Sequence, residues 1–202
     1  MSKRYAGASR REMLRNIAMG VTLAGMPLEA AQHVHGVAAD QKKKTAGVYK
    51  PKHFNTHEYG TVRRLAELII PADDVSGSAI EAGAPEFIDL IAANNQDIGL
   101  RMTGGLAWLD RQMETAHGKS FVACNPAEQT GMLDRIANRE KATPELGPGV
   151  EFFRWIRRLT ADAFYTSPIG VKDVGYVGNK GMTTFQVPAS ALEYAAKRSG
   201  LT

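Results

Sequence analysis

The chain of 202 residues contains a single cysteine, Cys124. One thiol excludes an internal disulfide and any metal site built from several cysteines. It leaves two alternatives, a thiol that pairs with another chain and a thiol that is buried and inert. We favour burial, because a lone cysteine in a folded domain usually packs as a small hydrophobic side chain.

Motifs of the common nucleotide-binding and hydrolytic enzymes are also missing. No Gly-x-Gly-x-x-Gly follows a strand, no Walker loop is present, and no serine or cysteine has a nucleophile-elbow context. Residues 175–179 have the glycine-rich composition of a phosphate-binding loop but lack a strand before them and a helix after them. The sequence offers no catalytic constellation and so favours a non-catalytic role.

Candidates for metal ligands are two histidine pairs and one group of carboxylates. Neither pair has a carboxylate at ligand spacing, and the acidic loop lacks the alternating oxygen ligands of a calcium site. We expect exposed histidines and turn-forming aspartates, with no metal site, and keep a stand-alone metal-dependent enzyme as an alternative. These residues are His33 and His35, His53 and His57, and Asp73, Asp74 and Glu81.

Positive charge is concentrated at the N-terminus. The formal net charge is +4, and residues 1–15 carry +4 while residues 16–39 carry −1, which leaves about +1 for residues 40–202. A nucleic-acid-binding domain needs a basic surface on its folded part. We therefore expect no nucleic-acid partner.

The N-terminal segment has the order of an export signal. A basic stretch precedes an uncharged run of only 13 residues, 16–28, whereas a spanning helix needs about 20 apolar residues. Ser9, Arg10, Arg11, Met13 and Leu14 resemble the twin-arginine export motif, with Met13 at a position where phenylalanine is commoner. The alternative is a basic amphipathic helix that lies on the domain or on a membrane surface.

Two small-residue stretches could end this signal. One is Val37-Ala38-Ala39 and the other is Leu28-Glu29-Ala30. We place the export signal at residues 1–39 and a polar linker or extended arm at residues 40–55. Residues 56–202 then form the working domain.

Apolar residues repeat at three- and four-residue steps through most of that domain, which predicts helices. Thr56 and Asn125 are candidate N-caps, and Gly104-Gly105 could kink the third helix. We predict an all-α single domain of five to six helices with a long glycine-rich loop from Ser167 to Val187. The helices are expected to begin near Thr56, Pro85, Asp97, Pro126, Phe152 and Pro188.

Several short motifs follow one another along the chain. They are LAELIIPAD (65–73), EAGAPEFID (81–89), GLAWLD (105–110), Phe121, PAEQ (126–129), FYTSPIG (164–170) and VGYVGN (174–179). Taken in order, these motifs resemble the gluconate 2-dehydrogenase subunit 3 family, and the resemblance spans roughly residues 55–180. The tail after residue 180 is less familiar and could mark a subgroup, such as dehydrogenases that oxidise the sugar ring at carbon 3.

This resemblance implies a small, non-catalytic subunit of a periplasmic FAD-dependent sugar or polyol dehydrogenase. The catalytic partner would be a glucose-methanol-choline family flavoprotein that holds FAD, and a c-type cytochrome with haem c would accept the electrons as a third subunit. The small subunit's leader would carry the folded flavoprotein through the twin-arginine translocon. The complex would be periplasmic and could associate with the membrane, and the substrate would be chosen by the other subunit.

A partner-binding surface should present aromatic and arginine anchors. We expect it to include Trp155, Arg158 and Tyr165 and the loop residues Gly175, Tyr176, Gly178 and Asn179. The alternatives are ordinary partial burial for the tryptophan and a solvated helix face for the arginine. A free-standing binding protein for a small ligand is a further alternative, and it would require a large dry pocket between helices.

Overall fold

A computed structural model describes residues 28–45, 47–140, 142–176 and 187–199. These residues contain helices and no strand, which confirms the predicted all-α fold. In this part of the chain no helix is both long and apolar enough to cross a membrane. The α-helices are α1 (Leu28–Lys44), α2 (Thr56–Ile69), α3 (Ala84–Asn94), α4 (Gln96–His117), α5 (Pro126–Ala137), α6 (Gly147–Thr166), α7 (Pro168–Asp173) and α8 (Ala189–Ser199), with short 3₁₀ turns at Phe121–Ala123 and Pro144–Leu146.

Capping boxes begin two of the helices. Asn125 accepts a hydrogen bond from the Glu128 backbone N–H, and the Glu128 carboxylate accepts one from the Asn125 N–H, both at 2.9 Å. Asn55 and Glu58 form the same reciprocal pair at the start of α2. The cap predicted at Asn125 is confirmed, whereas Thr56 is the first helical residue and Asn55 is the cap.

The long helix α6 lies at the centre of the core and packs against α2, α3, α4 and α5. Its inward face is aromatic and aliphatic, so it supplies apolar area to every neighbour. Side chains from five of the helices and from the first 3₁₀ turn are almost completely buried in this core. The largest are Phe87, Phe121, Phe164, Leu65, Ile70, Ile88, Met102, Leu106, Leu109, Met113, Ile136 and Ile156.

Residues 28–44 form one helix that packs on the fold and spans the predicted boundary between export signal and linker. α1 runs without a break across residue 39 and contacts α3 and α6. Within the expected linker, residues 40–44 are still helical, and the helix ends at Lys44. Because α1 buries mainly alanines, its apolar stripe is weak in the sequence.

Residues 49–54 form an arm held by one buried carboxylate. Asp89 of α3 accepts hydrogen bonds from the Tyr49 hydroxyl and from the backbone N–H groups of Lys52, His53 and Phe54, at 2.7–3.0 Å. Burial and the adjacent Asp89 raise the pKa of the Tyr49 phenol, so the hydroxyl stays protonated and remains a donor. The arm is therefore fixed to the domain.

The predicted C-terminal loop also begins as a helix. Ser167 accepts a hydrogen bond from the Gly170 N–H and caps α7, with Pro168 in the first turn. A Cβ on Gly170 would lie 2.0 Å from the Phe164 carbonyl oxygen, so glycine permits the close turn from α6 into α7. The rest of the predicted loop, residues 177–186, lies outside the described residues.

Candidate partner-binding surface

Trp155 lies on α6 and is surrounded by three arginine side chains. The guanidinium carbons of Arg101, Arg154 and Arg158 are 5.7, 5.8 and 5.7 Å from the centroid of its ring. These distances are within the range of cation–π attraction. The tryptophan is partly buried against the core, and its indole Nε1 is a buried atom without a hydrogen-bond partner.

The basic surface continues along the same helix. The Arg157 guanidinium lies 5.8 Å from the centroid of the Phe153 ring. Arg139, Arg154 and Arg157 also line a small cavity of about 60 Å³. We call Arg101, Arg139, Arg154, Trp155, Arg157 and Arg158 together the Arg–Trp patch.

Two carboxylates on α6 accompany these arginines. Glu151 is 2.8 Å from Arg154 and is partly exposed, so this ion pair is weak in water. Asp162 lies 3.7 Å from Arg158 and is mostly buried. Burial raises the pKa of Asp162 to about 6 despite the opposing charge of Arg158. Five arginines against two carboxylates leave the patch with excess positive charge.

Of the predicted anchors, Trp155 and Arg158 are in contact with each other, whereas Tyr165 and Tyr176 have different surroundings. Tyr165 is only 6% exposed and packs edge-on against Phe164, so it is a core residue and not a surface anchor. Its position follows from α6, where residue 165 points towards the same interior as residue 161. Tyr176 is exposed beyond the end of α7, after Gly175 with its φ of +65°.

The remaining predicted site residues lie outside the described residues. These are Gly178 and Asn179 of the C-terminal loop and the export-signal residues Ser9, Arg10, Arg11, Met13 and Leu14. Sequence reasoning missed Arg101, which lies on α4 and reaches Trp155 only through the packing of α4 on α6. Nothing in the local sequence around Arg101 indicates this contact.

Two of the histidines considered as metal ligands instead bind side chains of α4. His53 lies 3.1 Å from the Thr103 hydroxyl, and His57 lies 2.6 Å from the Asp110 carboxylate. Across the described ranges no group of three or more histidine, cysteine, aspartate or glutamate residues is arranged to hold a metal ion.

Of the other pair, His33 is exposed, whereas His35 turns inward and lies 3.2 Å from the Thr166 hydroxyl. Burial lowers the pKa of His35, which favours the neutral ring. In the acidic loop, Asp73 accepts hydrogen bonds from two backbone N–H groups of its own turn, and Glu81 accepts one from the Ser78 backbone N–H and one from the Ser78 hydroxyl. Asp73 and Glu81 therefore stabilise local turns.

Cys124 is buried, as expected, and it forms no disulfide. Burial raises the pKa of its thiol above the ordinary value. A thiol in this environment is a poor nucleophile. The residue therefore contributes packing rather than chemistry.

Open grooves lie on two sides of the helical domain. One, of about 510 Å³, lies between α1 and α7 and is lined by His35, Thr166 and small or apolar residues. The other, of about 370 Å³, lies beside α2 and is lined by Arg63, Arg64 and Glu67.

Comparison with known protein families identifies the family of this chain. Residues 56–183 match the family model described as gluconate 2-dehydrogenase subunit 3. No curated protein and no solved structure matches the chain. The match begins at the first residue of α2 and covers the core helices α2 to α7, including the central α6 and the whole Arg–Trp patch. The chain therefore belongs to the gluconate 2-dehydrogenase subunit 3 family, whose name describes a subunit of a dehydrogenase complex.

Proposed function

We propose that this chain is the small, non-catalytic subunit of a periplasmic FAD-dependent sugar or polyol dehydrogenase. It binds and stabilises a glucose-methanol-choline family flavoprotein, which holds FAD and performs the oxidation. A c-type cytochrome with haem c accepts the electrons. The substrate is selected by the flavoprotein, since its binding residues lie in that subunit.

Family membership is the observation that carries this proposal. The matched segment covers most of the described helices, so the resemblance extends over a whole folded unit and not over one short motif. Four of the residues that a metal-dependent enzyme would use are engaged in other contacts, namely His35, His53, His57 and Asp73. These contacts favour a binding role over the stand-alone enzyme.

We propose that the Arg–Trp patch binds the flavoprotein. Arginine and tryptophan are the residue types most enriched at the energetic centres of protein interfaces. Here the Trp155 ring is already ordered by three guanidinium groups, so little side-chain entropy remains to be lost on binding. The excess positive charge of the patch fits an acidic surface on the partner.

We also propose that the chain carries its partner across the membrane. The twin-arginine route transports folded proteins, and a flavoprotein with FAD already bound must cross in folded form. Ser9, Arg10 and Arg11 followed by Met13 and Leu14 support this route. A single leader on a tightly bound small subunit is then sufficient for both chains.

The docking surface can be tested with a pair of charge reversals on α4. Arg101 and Arg111 are both exposed, but only Arg101 contacts Trp155. We expect Arg101→Glu to weaken binding to the co-expressed flavoprotein by about tenfold or more, since it places a carboxylate opposite an acidic partner. Isothermal titration with the purified flavoprotein measures this change.

Arg111→Glu is the matched control, and we expect it to alter the dissociation constant by less than about twofold. Circular dichroism and the melting temperature of both variants show that the fold is retained. If the two substitutions changed the dissociation constant equally, the Arg–Trp patch would not be the docking surface. If the two wild-type proteins are co-expressed and do not purify together under mild conditions, the whole proposal is contradicted.

A further inference from the structure

One face of α1 points into the domain. Its residues Ala31, Val34, His35, Ala38 and Lys42 occupy positions i, i+3, i+4, i+7 and i+11, which places them on one side of a helix. Ala31 is 1% exposed and belongs to the main core, and Ala38 packs in a smaller cluster with other buried side chains. Val34 contacts both clusters and joins them.

Polar contacts tie the middle of α1 to two other helices. The His35 ring lies 5.0 Å from the Phe87 ring of α3, measured between centroids. Its Nε2 lies 3.2 Å from the Thr166 hydroxyl at the end of α6. His35 therefore connects α1 to both helices, beside the groove between α1 and α7.

The last turn of α1 neutralises a buried charge. The Lys42 ammonium lies 2.6 Å from the Glu86 carboxylate, whose side chain is only 3% exposed. A buried carboxylate that loses its partner is strongly destabilising, because its desolvation is no longer compensated. Lys42 can hold this position only while the helix that carries it remains formed.

We propose that residues 31–44 remain in the mature subunit, so that the leader is removed at or before Ala30 or is retained. This inference rests on the proposed export. Of the two small-residue stretches that could end the signal, only Leu28-Glu29-Ala30 is compatible with the fold. A cut after Ala39 would remove Ala31, Val34, His35 and Ala38 and would leave five residues of α1, too few for a stable helix.

The first experiment determines the N-terminus of the subunit purified from the periplasm together with its flavoprotein. Intact-mass measurement and N-terminal sequencing should give a first residue no later than Ala31. A mature chain that begins at Asp40, or anywhere within residues 32–44, overturns the proposal. Absence of the subunit from the periplasm counts against the proposed export, and the second experiment then still tests the role of α1.

The second experiment compares two adjacent substitutions in the full-length chain. Ala31 is buried and Gln32 is exposed, so Ala31→Glu and Gln32→Glu introduce the same carboxylate in different surroundings. We expect Ala31→Glu to lower the melting temperature by at least about 5 °C and Gln32→Glu by less than about 2 °C. Equal melting temperatures for the two variants would show that α1 is not part of the folded domain and would overturn the proposal.

Discussion

Gly105 determines how closely α4 approaches α6. A Cβ at this position would lie 2.0 Å from Cδ2 and 2.8 Å from Cβ of Phe152, so the ring packs directly on the α4 backbone. The contact is reciprocal one turn along, where a Cβ on Gly149 of α6 would lie 2.1 Å from the Trp108 ring of α4. The two helices therefore interlock through one glycine and one aromatic side chain each. The helix α4 is continuous through the glycine pair.

We expect Gly105→Ala to destabilise the protein by about 1–3 kcal/mol, because the Phe152 Cβ is fixed to its backbone and cannot move aside. Gly104→Ala is the matched control, since nothing lies within 4 Å of an added Cβ there. That variant should stabilise the protein by up to about 1 kcal/mol through helix propensity. Urea unfolding of both variants measures these changes, and effects of the same sign would contradict the packing described.

Asp162 makes the stability depend on pH. Burial raises its pKa from 3.8 to about 6, so the folded protein holds this proton at pH values where the unfolded chain has released it. The stabilising contribution of the group is complete below about pH 3.8 and is lost as the pH rises through about 6. At neutral pH the buried carboxylate is therefore a cost to the fold.

We expect Asp162→Asn to raise the free energy of unfolding by about 1–2 kcal/mol at pH 7.5, allowing for the lost ion pair with Arg158. At pH 4 the same variant should match the wild type closely, because the folded protein carries a neutral side chain in both cases. Chemical unfolding at the two pH values provides the measurement. If the variant raised the free energy of unfolding equally at both pH values, titration of Asp162 would not be the cause of the stabilisation.

At the scale of the helix, short capping patterns in the sequence predict where a helix begins. An asparagine cap with glutamate three residues on starts α5, and the capping box is present as that pattern predicts. Ser167-Pro168 is the same kind of signal, a cap followed by proline, and it could have predicted α7. The glycines that follow it indicate a loop, so the two local signals conflict in this segment.

The segment that joins α1 to α2 depends on one side chain of α3. Asp89 is completely buried and accepts four hydrogen bonds from the arm. We expect Asp89→Asn to destabilise the protein by about 2–4 kcal/mol, because the amide group replaces an acceptor with a donor that faces buried N–H groups. Thermal unfolding followed by circular dichroism measures the loss.

Tyr49→Phe is the control for this substitution. It removes one of the four hydrogen bonds and leaves the three backbone bonds to Asp89 in place, so we expect a loss of about 1 kcal/mol. A loss as large as that of the Asp89 variant would show that the arm is held by the Tyr49 side chain and not by the carboxylate.

At the scale of the whole molecule, two regions carry an excess of positive charge. The N-terminal 15 residues carry a net charge of +4, and the Arg–Trp patch gathers five arginines on one surface, although residues 40–202 as a whole carry only about +1. In the proposed function these two regions act separately. The first directs export, and the second binds the protein that is exported with it.

Replacing Arg10 and Arg11 with lysine should retain both this chain and its flavoprotein in the cytoplasm, because the translocon would no longer recognise the leader that serves both. Cell fractionation with an assay of dehydrogenase activity measures this outcome. Arg15→Lys is the matched control, since lysine is the commoner residue at that position of the motif, and it should leave export unchanged. Undiminished periplasmic activity in the double variant would contradict co-export.

The sequence by itself determined the helical class, helices α2 to α6, the capping signal at Asn125 and the family to which the chain belongs. All of these depend on neighbouring residues or on a repeat within one helix, so a single sequence carries them. Only the tertiary structure showed that α1 is part of the fold, that Tyr165 is buried and that Arg101 lies against Trp155. These three facts depend on contacts between residues far apart in the chain, and helical periodicity shows which residues share a face but not which helix that face meets.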